Sequence, residues 1–375
     1  MNKGVILPGA TIGVLGGGQL GRMFVTAART MGYKTVVLDP DKNSPAGLIA
    51  DQHICAGYED AVGLQKMAEL CDAVTTEFEN VPATSLRKLA ESVVVAPSAE
   101  TVEIAQHRDR EKNYARQAGL ETTAYGKILS DSDIQAAAET TGFPAILKSS
   151  TLGYDGKGQA IVNSVEEVTE KFNAFGSVEC VLEKMLKLKQ EVSVILGRNE
   201  QGEVSVFPVA ENVHVNGILH TSTVPANISD EVTSKAQQQA MALAESMNYV
   251  GVLTVEFFIT EDNQLIFNEM APRPHNSSHY TLDATVTSQF EQQVRTLCGL
   301  TPGDGRLVSA VVMVNLLGDL WPINWTQLFA EKSLKLHLYG KEEARPGRKM
   351  GHFNVLAETT EKAKKTAEQV FKAIN

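Results

Sequence analysis

The first stretch of the sequence that could do chemistry is a glycine-rich loop that begins at Lys148. The apolar run at residues 145–147 predicts a buried strand ending at this lysine, and three glycines between positions 153 and 158 follow, with Lys157 among them. Glycine lacks a Cβ and permits positive φ, so several backbone N–H groups can approach one phosphate. The loop lacks the Gly-Lys-Ser/Thr ending of a Walker A motif. It predicts another kind of phosphate site, although the glycines alone are equally typical of a flexible hairpin.

Two glutamates, Glu256 and Glu269, are predicted to lie on paired strands. Residues 251–259 and 264–268 are apolar runs separated by a short polar turn, which predicts an antiparallel hairpin. Two carboxylates on such strands, with the amide of Asn268 beside one of them, suit the oxygen ligands that Mg²⁺ prefers together with substrate phosphates. An unpaired glutamate in this apolar context would be costly to bury. The alternative is a structural salt bridge to a lysine.

A proline-stiffened loop follows this hairpin directly and concentrates polar side chains. Arginine and histidine beside hydroxyl groups are typical of phosphate binding, and the cluster is denser than an ordinary loop needs. Its polar members are Arg273, His275, Asn276, Ser277, Ser278 and His279.

The N-terminal segment contains a second glycine-rich stretch. Residues 10–15 predict a strand, residues 22–31 a helix and residues 34–38 a strand ending at Asp39, a βαβ unit that satisfies G-x-G-x-x-G. The motif indicates only that an anion can lie at the helix N-terminus, either a pyrophosphate or the phosphate of a ribonucleotide. Glu77 follows the strand predicted at 73–76, at the edge where open α/β sheets bind ligands, and is expected to face a substrate with Asn80. The alternative there is a helix-capping turn.

Composition bounds the class of protein. The 375 residues, 43% of them hydrophobic, predict two or three domains, and the net charge of −11 argues against a general nucleic-acid or anionic-membrane binder. Four cysteines without a CxxC pair predict reduced thiols rather than disulfides or a zinc site. No apolar leader or membrane-length run is evident, so we expect a soluble cytoplasmic protein. The charged segment at 100–119 predicts a single helix with a solvated face.

With these pieces in place, the chain resembles the ATP-grasp superfamily and, within it, the 5-(carboxyamino)imidazole ribonucleotide synthetase family. The resemblance covers nearly the whole chain, and Ser278 stands where the family's HNSGH motif has glycine. The motifs that carry it are GGGQLGRM (16–23), LDPD (38–41), TEFENVP (76–82), KSSTLGYDGKGQ (148–159), EKML (183–186) with Glu191, FNEMAPRPHNSSHYT (267–281) and YGKEEARPGRKMGH (339–352).

The resemblance implies an ATP-grasp fold of α/β and α+β type. A βαβ (pre-ATP-grasp) substrate-binding domain would span 1–100, a linker helix and lid domain 101–185, and the catalytic domain 186–375, with a small β-rich subdomain from about 305. It also implies that ATP, Mg²⁺ (Mn²⁺ as an alternative) and bicarbonate serve to carboxylate 5-aminoimidazole ribonucleotide, releasing ADP and phosphate by way of carboxyphosphate. The enzyme would be a cytoplasmic homodimer that binds neither nucleic acid nor membranes.

Site residues follow from the resemblance at matching positions. The hinge at 183–186 would face adenine, Glu191 the ribose, and the loop at 153–159 would close over the phosphates. The full ATP-binding set is Arg108, Lys148, Gly153, Tyr154, Asp155, Gly156, Lys157, Gly158, Gln159, Glu183, Lys184, Met185, Leu186, Glu191, His214, Asn268 and Glu269. The expected catalytic residues are Lys157, Tyr154, Asp155, Arg273 and Glu77, and the expected metal ligands are Glu256 and Glu269. The expected substrate-binding residues are Gly18, Gln19, Leu20, Glu77, Asn80, His275, Asn276, Ser277, Lys341, Arg348 and Lys349.

Three other functions compete with this interpretation. Another ATP-grasp ligase, such as a formate-dependent glycinamide ribonucleotide transformylase, shares most of these motifs. A nicotinamide-dependent oxidoreductase would explain residues 16–21 and Asp39 but nothing beyond the first domain. A nucleotide sensor without catalysis would not need the Glu256 and Glu269 pair.

Overall fold

A computed structural model describes residues 4–151, 153 and 158–374. The N-terminal strands are β1 (Thr11–Leu15), β2 (Lys34–Leu38), β3 (Gln52–Ile54), β4 (Ala73–Thr76) and β5 (Val94–Val95). The central strands are β6 (Tyr125–Ile128), β7 (Ala145–Ser149), β8 (Gln159–Val162) and β9 (Cys180–Lys184). The C-terminal strands are β10 (Leu188–Arg198), β11 (Val204–Val206), β12 (Ala210–Val215), β13 (Ile218–Val224), β14 (Gly251–Thr260), β15 (Leu265–Ala271), β16 (Ala310–Leu317), β17 (Leu334–Leu338) and β18 (Lys349–Ala357).

Helices connect and cover these strands. They are α1 (Gln19–Thr30), α2 (Ala61–Leu70), α3 (Ala83–Ala90), α4 (Ala99–Ala105), α5 (Arg108–Gln117), α6 (Ile134–Thr141), α7 (Val165–Ala174), α8 (Asp230–Ser246), α9 (Thr281–Ala284), α10 (Gln289–Leu297), α11 (Trp325–Leu328) and α12 (Thr360–Ile374). Short 3-10 turns lie at Asp131–Asp133, Asn276–Ser278 and Gly318–Leu320. Among the described residues, no helix combines the length and apolar character that crossing a bilayer requires.

The first sheet is parallel, with strand order β3-β2-β1-β4-β5. Its central strands are almost wholly buried because helices cover both faces, as apolar parallel strands require. One face packs against α2 and α3, and the other packs against α1 and against Phe290 and Val294 of α10. Since α10 lies far along the chain, this second core joins the N-terminal sheet to the C-terminal part of the protein.

The second sheet is antiparallel, with strand order β6-β9-β7-β8, and helices α6 and α7 pack on it. In the β7–β9 pair, Lys148 lies opposite Val181 and Ile146 lies opposite Glu183. Lys148 and Glu183 are therefore diagonal neighbours on the same face of the sheet, because side chains alternate with a period of two. This register allows Lys148 to contact Glu183, and the candidate site is built around that contact.

The third and largest sheet is antiparallel, with strand order β15-β14-β10-β12-β13-β16-β18-β17 and β11 paired to β10. The predicted hairpins at 190–210 and 251–268 are both present within it. Helix α8 covers one part of the sheet and α12 another, each through an apolar face. The edge strand β15 packs against α4 and α5.

The prediction of a single helix over 100–119 is wrong, and its solvated face is only part of the surface of this segment. The chain forms α4 and α5 with a break at Gln106 and His107, where the Gln106 side-chain amide donates hydrogen bonds to the carbonyl oxygens of Glu79 and Val81. Glu111 and Lys112 are only 3% and 1% exposed. Helix α5 packs between β15 and the second sheet, so Glu111 and Lys112 contact protein partners, whereas Arg110 and Arg116 remain exposed.

Candidate active site

The interior of the site is a cluster of two lysines and one glutamate. Lys148 Nζ lies 2.8 Å from Glu183 Oε2, Lys112 Nζ lies 3.2 Å from Glu183 Oε1, and all three side chains are buried. Burial raises the pKa of Glu183, but the charges of Lys112 and Lys148 outweigh that effect and hold this pKa at about 2. Burial also lowers the pKa of Lys148. Two cations share one anion here, so the cluster favours a further negative group such as a phosphate.

Arg108 extends this positive region to the mouth of the cleft. Its Nε donates a hydrogen bond to the carbonyl oxygen of Ser149 at 3.2 Å, and its Nη1 lies 3.3 Å from Glu269 Oε2. Beside it, Glu111 accepts a hydrogen bond from the backbone N–H of Met270 at 2.5 Å. Burial, followed by the charge of Glu269, raises the pKa of Glu111 to about 8. The cleft between these elements is also lined by Glu79, Asn80, Gly153, Arg273 and His275.

The two predicted metal ligands face each other across the β14–β15 hairpin. Glu256 and Glu269 occupy the same register position. Burial, followed by the charge of Glu269, raises the pKa of Glu256 to about 7. Like charges directly opposite each other destabilise a sheet, so a divalent cation would relieve the repulsion. The described residues contain no group of three or more His, Cys, Asp or Glu side chains placed to hold a metal. A carboxylate pair fits Mg²⁺, which keeps several waters and takes phosphate oxygens as ligands.

On the sheet beside this pair lie Glu191 and His214, which the structure brings together. His214 Nδ1 is 3.0 Å from Glu191 Oε2. Burial lowers the pKa of His214, but the contact with Glu191 outweighs it and the net shift is upward. Both side chains are within electrostatic reach of Glu256. The pair therefore lies near Glu256, and its contact with a ribose stays a prediction.

The segment at 183–186 connects the second sheet to the third. The Glu183 side chain points into the lysine cluster, whereas Lys184 and Met185 are exposed and Leu186 is half-buried. The backbone N–H groups of Lys184 and Met185 donate to the carbonyl oxygens of Ala124 and Pro144. The segment therefore links the two sheets, and its expected role as an adenine-facing hinge stays a prediction.

The glycine stretch after β1 donates backbone hydrogen bonds to two carboxylates of the same protein. The backbone N–H groups of Gly18 and Gly21 donate to Glu77 at 2.5 and 2.6 Å, and that of Gly17 donates to Asp39 at 2.7 Å. Gly16 has φ of +106°, and a Cβ there would lie 2.3 Å from Glu77 Cγ. In this structure the carboxylates of Glu77 and Asp39 already accept hydrogen bonds from these N–H groups, and the binding of a substrate anion at Gly18 stays a prediction.

We expect Glu77→Gln to lower the free energy of unfolding by about 1–3 kcal/mol, because an amide presents a donor to one of the two backbone N–H groups that now share the carboxylate. Denaturant unfolding measures the change. Glu59→Gln, at an exposed position of the same domain, is the control and should change stability by less than about 0.5 kcal/mol. A Glu77→Gln protein as stable as the control would contradict the capping role.

Several predicted substrate-binding residues meet between the first and last parts of the chain. Lys341 Nζ donates to Gln19 Oε1 at 2.7 Å and to the carbonyl oxygen of Lys349 at 2.6 Å. Arg348 is half-buried and donates to the carbonyl oxygen of Glu343 at 2.8 Å. This C-terminal basic turn therefore lies against α1, next to Leu20 on the same helix.

The loop after β15 divides its polar residues between the cleft and the interior. Arg273 forms an ion pair with Glu79 and lines the cleft with His275. Asn276 exchanges two side-chain hydrogen bonds with Asn315, so its predicted contact with substrate stays a prediction. Ser278 is buried in a 3-10 turn and donates its backbone N–H to the His275 carbonyl oxygen at 3.0 Å. Because its φ is not positive, serine fits this position without strain.

Part of the predicted lid lies outside the described residues. Leu152, Tyr154, Asp155, Gly156 and Lys157 belong to that part, so the roles expected of them are not addressed by the structure. Gly153 lines the cleft, and Gly158 and Gln159 lead into β8.

The sequence reasoning missed Glu79, Glu111 and Lys112. The signal for the last two is their helical spacing from Arg108, at i+3 and i+4, which places all three on one face of α5. Glu79 carries no such signal, because its partner Arg273 lies in a distant loop.

Family models match three consecutive segments of the chain. Residues 9–106 match the ribonucleotide synthetase preATP-grasp domain, residues 113–290 the ATP-grasp domain, and residues 311–366 the phosphoribosylaminoimidazole carboxylase C-terminal domain. An N5-carboxyaminoimidazole ribonucleotide synthase of Bacillus subtilis (strain 168) is 43% identical over 356 residues, which cover 95% of this chain and 94% of the relative. One from Brucella melitensis biotype 1 is 44% identical and covers 94% of this chain and 98% of the relative.

Solved structures agree with these matches. An ADP complex of an N5-carboxyaminoimidazole ribonucleotide synthetase superposes with a TM-score of 0.95 at 45% identity and covers 98% of each chain. An N5-carboxyaminoimidazole synthase from Aspergillus clavatus, in complex with ADP and 5-aminoimidazole ribonucleotide, has a TM-score of 0.90 at 31% identity, covering 97% of this chain and 98% of that one. The ATP-grasp fold expected from the sequence is confirmed.

Proposed function

Because the chain belongs to the N5-carboxyaminoimidazole ribonucleotide synthase family, we propose that it uses ATP and bicarbonate to carboxylate 5-aminoimidazole ribonucleotide, releasing ADP and phosphate. It is an ATP-grasp ligase of purine biosynthesis, and enzymes of this class use ATP with Mg²⁺. The observation that carries the proposal is the pair of facing carboxylates, Glu256 and Glu269, at one cleft with Arg108 and the buried lysine cluster. This arrangement suits phosphoryl transfer, which depends mainly on positioning and charge neutralisation.

Each group of residues around the cleft has a distinct role in this proposed reaction. Lys148 and Arg108 neutralise the phosphates of ATP, and Lys112 shares the Glu183 counter-charge with Lys148. Glu256 and Glu269, with Asn268, hold Mg²⁺, which when bound neutralises charge on the transferring phosphoryl group. Arg273 and His275 line the same cleft, where the bicarbonate-derived group would be held. Bicarbonate is a poor electrophile, and its phosphorylation makes it able to react with the amine.

The ribonucleotide is proposed to bind where α1 meets the C-terminal basic turn. Gln19 and Lys341 already contact each other there, and Lys349 follows on β18. Arginine and lysine near one surface favour a phosphate group. The predicted contributions of Gly18, Leu20, Glu77, Asn80, Asn276, Ser277 and Arg348 to this site, and of Tyr154, Asp155 and Lys157 to catalysis, belong to the same proposal.

Four further properties complete the proposal. The domain boundaries are placed at about 100 and 185, with a β-rich subdomain from about 305. The chain is proposed to act in the cytoplasm and to form a homodimer. Mn²⁺ is proposed to replace Mg²⁺, since both accept oxygen ligands.

The test of the function is a substrate-dependence assay with the purified chain. We expect ADP release to require MgATP, bicarbonate and 5-aminoimidazole ribonucleotide, with one labelled carboxyl group transferred from bicarbonate for each ADP formed. Omitting either co-substrate, and replacing bicarbonate with formate, are the controls. ATP turnover that is indifferent to both co-substrates, or that responds to formate, would contradict the proposal and favour another ATP-grasp ligase.

A further inference from the structure

A chain of buried hydrogen bonds runs from His275, at the cleft, into the third sheet. His275 Nδ1 lies 2.9 Å from Ser277 Oγ, and Ser277 Oγ lies 2.8 Å from Ser193 Oγ on β10. Asn212 on β12 donates to Ser193 Oγ at 3.0 Å and accepts from Ser222 Oγ on β13 at 2.8 Å. The three serines and Asn212 are all buried. This series of hydrogen bonds thus connects β10, β12 and β13 to the imidazole ring of His275.

The direction of these hydrogen bonds determines which ring nitrogen of His275 carries a proton. The backbone N–H of Ser277 lies 3.3 Å from His275 Nδ1, and a backbone N–H can only donate. Ser193 accepts from Asn212 and donates to Ser277, so the Ser277 hydroxyl is left to donate to His275 Nδ1. Both neighbours of Nδ1 are donors, and the ring proton is therefore on Nε2.

The opposite edge of the imidazole ring, which carries Nε2, points into the cleft. His275 Nε2 lies 3.5 Å from Glu256 Oε1, and His275 lines the same cleft as Arg273 and Glu269. Because Nδ1 accepts two hydrogen bonds and carries no proton, the imidazole is neutral and presents its Nε2–H group to the cleft.

We propose that Ser193, Asn212 and Ser222 are positioning residues that hold His275 in the Nε2–H tautomer, so that it donates a hydrogen bond to an oxygen of bicarbonate. The inference rests on the proposed function for the identity of the anion, but not for the tautomer. A free histidine ring exchanges between two neutral tautomers, and only one of them donates on the cleft side. Ser222 acts at the far end, where its hydroxyl donates to the Asn212 amide oxygen while the Asn212 amide nitrogen donates to Ser193.

The tautomer is measured directly by ¹⁵N NMR of the full chain with labelled histidine, in which protonated and unprotonated ring nitrogens give separate signals. His275→Asn identifies the His275 signals. We expect Nε2 to be protonated and Nδ1 to be unprotonated in the native protein. A protonated Nδ1 would overturn the proposal, whatever the enzyme's activity.

Asn212→Asp reverses the direction of these hydrogen bonds, because an ionised carboxylate can only accept hydrogen bonds. Ser193 then donates to the new carboxylate and accepts from Ser277, whose hydroxyl oxygen can now accept a hydrogen bond from His275 Nδ1. Only the 3.3 Å contact of the Ser277 backbone N–H still opposes a proton on Nδ1. We expect the Nδ1 signal to acquire protonated character at about pH 9, above the raised pKa that burial gives a carboxyl group. Ser85→Ala, which removes a buried hydroxyl from α3, is the control and should leave the His275 signals unchanged.

Steady-state kinetics provide the second readout. In Ser193→Ala and Asn212→Asp, the KM for bicarbonate should rise about tenfold, as expected for loss of one oriented hydrogen bond, while the KM for ATP stays unchanged. The positioning role would be overturned if the KM for bicarbonate and the KM for ATP changed equally. It would also be overturned if neither KM value nor the His275 signals changed. If the native chain shows the Nε2–H tautomer but does not use bicarbonate, the proposed function fails while the tautomer assignment stands.

Discussion

Glu269→Gln is expected to lower kcat by about two to three orders of magnitude while the protein remains folded. Glu269 faces Glu256 at the same register position and contacts Arg108. Removing its charge takes away one of two carboxylates available for a divalent cation at the transferring phosphoryl group, and interactions aimed at developing charge have effects of this size. Glu256→Gln is expected to act in the same direction, because the two carboxylates serve one ion.

Stability separates this role from a structural salt bridge. Since facing carboxylates repel, neither variant should lose more than about 0.5 kcal/mol in the absence of Mg²⁺. Glu261→Gln, at an exposed position in the turn of the same hairpin, is the matched control and should retain full activity. Titration of activity with Mg²⁺ should show a higher half-saturating concentration for both active-site variants. Near-normal turnover at low Mg²⁺ would contradict the metal role.

Local patterns predicted most of the elements that build the site. The hairpin of β14 and β15 follows from two apolar runs and a polar turn, and the facing of Glu256 and Glu269 follows from that hairpin. The βαβ unit that begins with β1 follows from its glycines and helical periodicity. These features depend on residues that are neighbours in sequence, which is why sequence patterns contain them.

Other parts of the site depend on contacts that no local pattern encodes. Glu77 folds back onto Gly18 and Gly21, more than fifty residues earlier, so backbone N–H groups expected to face an external anion already donate to a carboxylate of the chain. Glu111 and Lys112 looked solvated because charged helices usually face water, and their burial depends on where α5 docks between two sheets. Tertiary packing overrides the local expectation in both cases.

The buried lysine cluster stabilises the docking of α5, and its positive charge suits a nucleotide. Lys112 comes from α5, Lys148 from β7 and Glu183 from β9, so one carboxylate joins the linker helix to the second sheet. Lys112 also donates to the carbonyl oxygen of Asn268 on β15, which connects the cluster to the third sheet. The residues proposed to neutralise ATP therefore also hold α5, the second sheet and β15 together.

Glu183→Gln is expected to lower the free energy of unfolding at neutral pH by about 3–5 kcal/mol, because it leaves two buried lysines without a counter-ion. The effect depends on pH with a definite sign. The pKa of Glu183 is held at about 2, below its ordinary value of 4.5. A carboxyl group with a depressed pKa stabilises the fold fully above its ordinary pKa and loses that contribution as pH falls toward the folded value.

The difference in stability between the native protein and Glu183→Gln should accordingly be largest above pH 4.5 and shrink as the pH falls from 4.5 toward about 2. Chemical denaturation at a series of pH values measures it. Glu170→Gln, an exposed position of α7 with a surface ion pair to Lys171, is the control and should change stability by less than about 0.5 kcal/mol throughout. A loss below about 1 kcal/mol for Glu183→Gln, or one that grows on acidification, would mean that Glu183 does not provide the counter-charge that allows Lys112 and Lys148 to be buried.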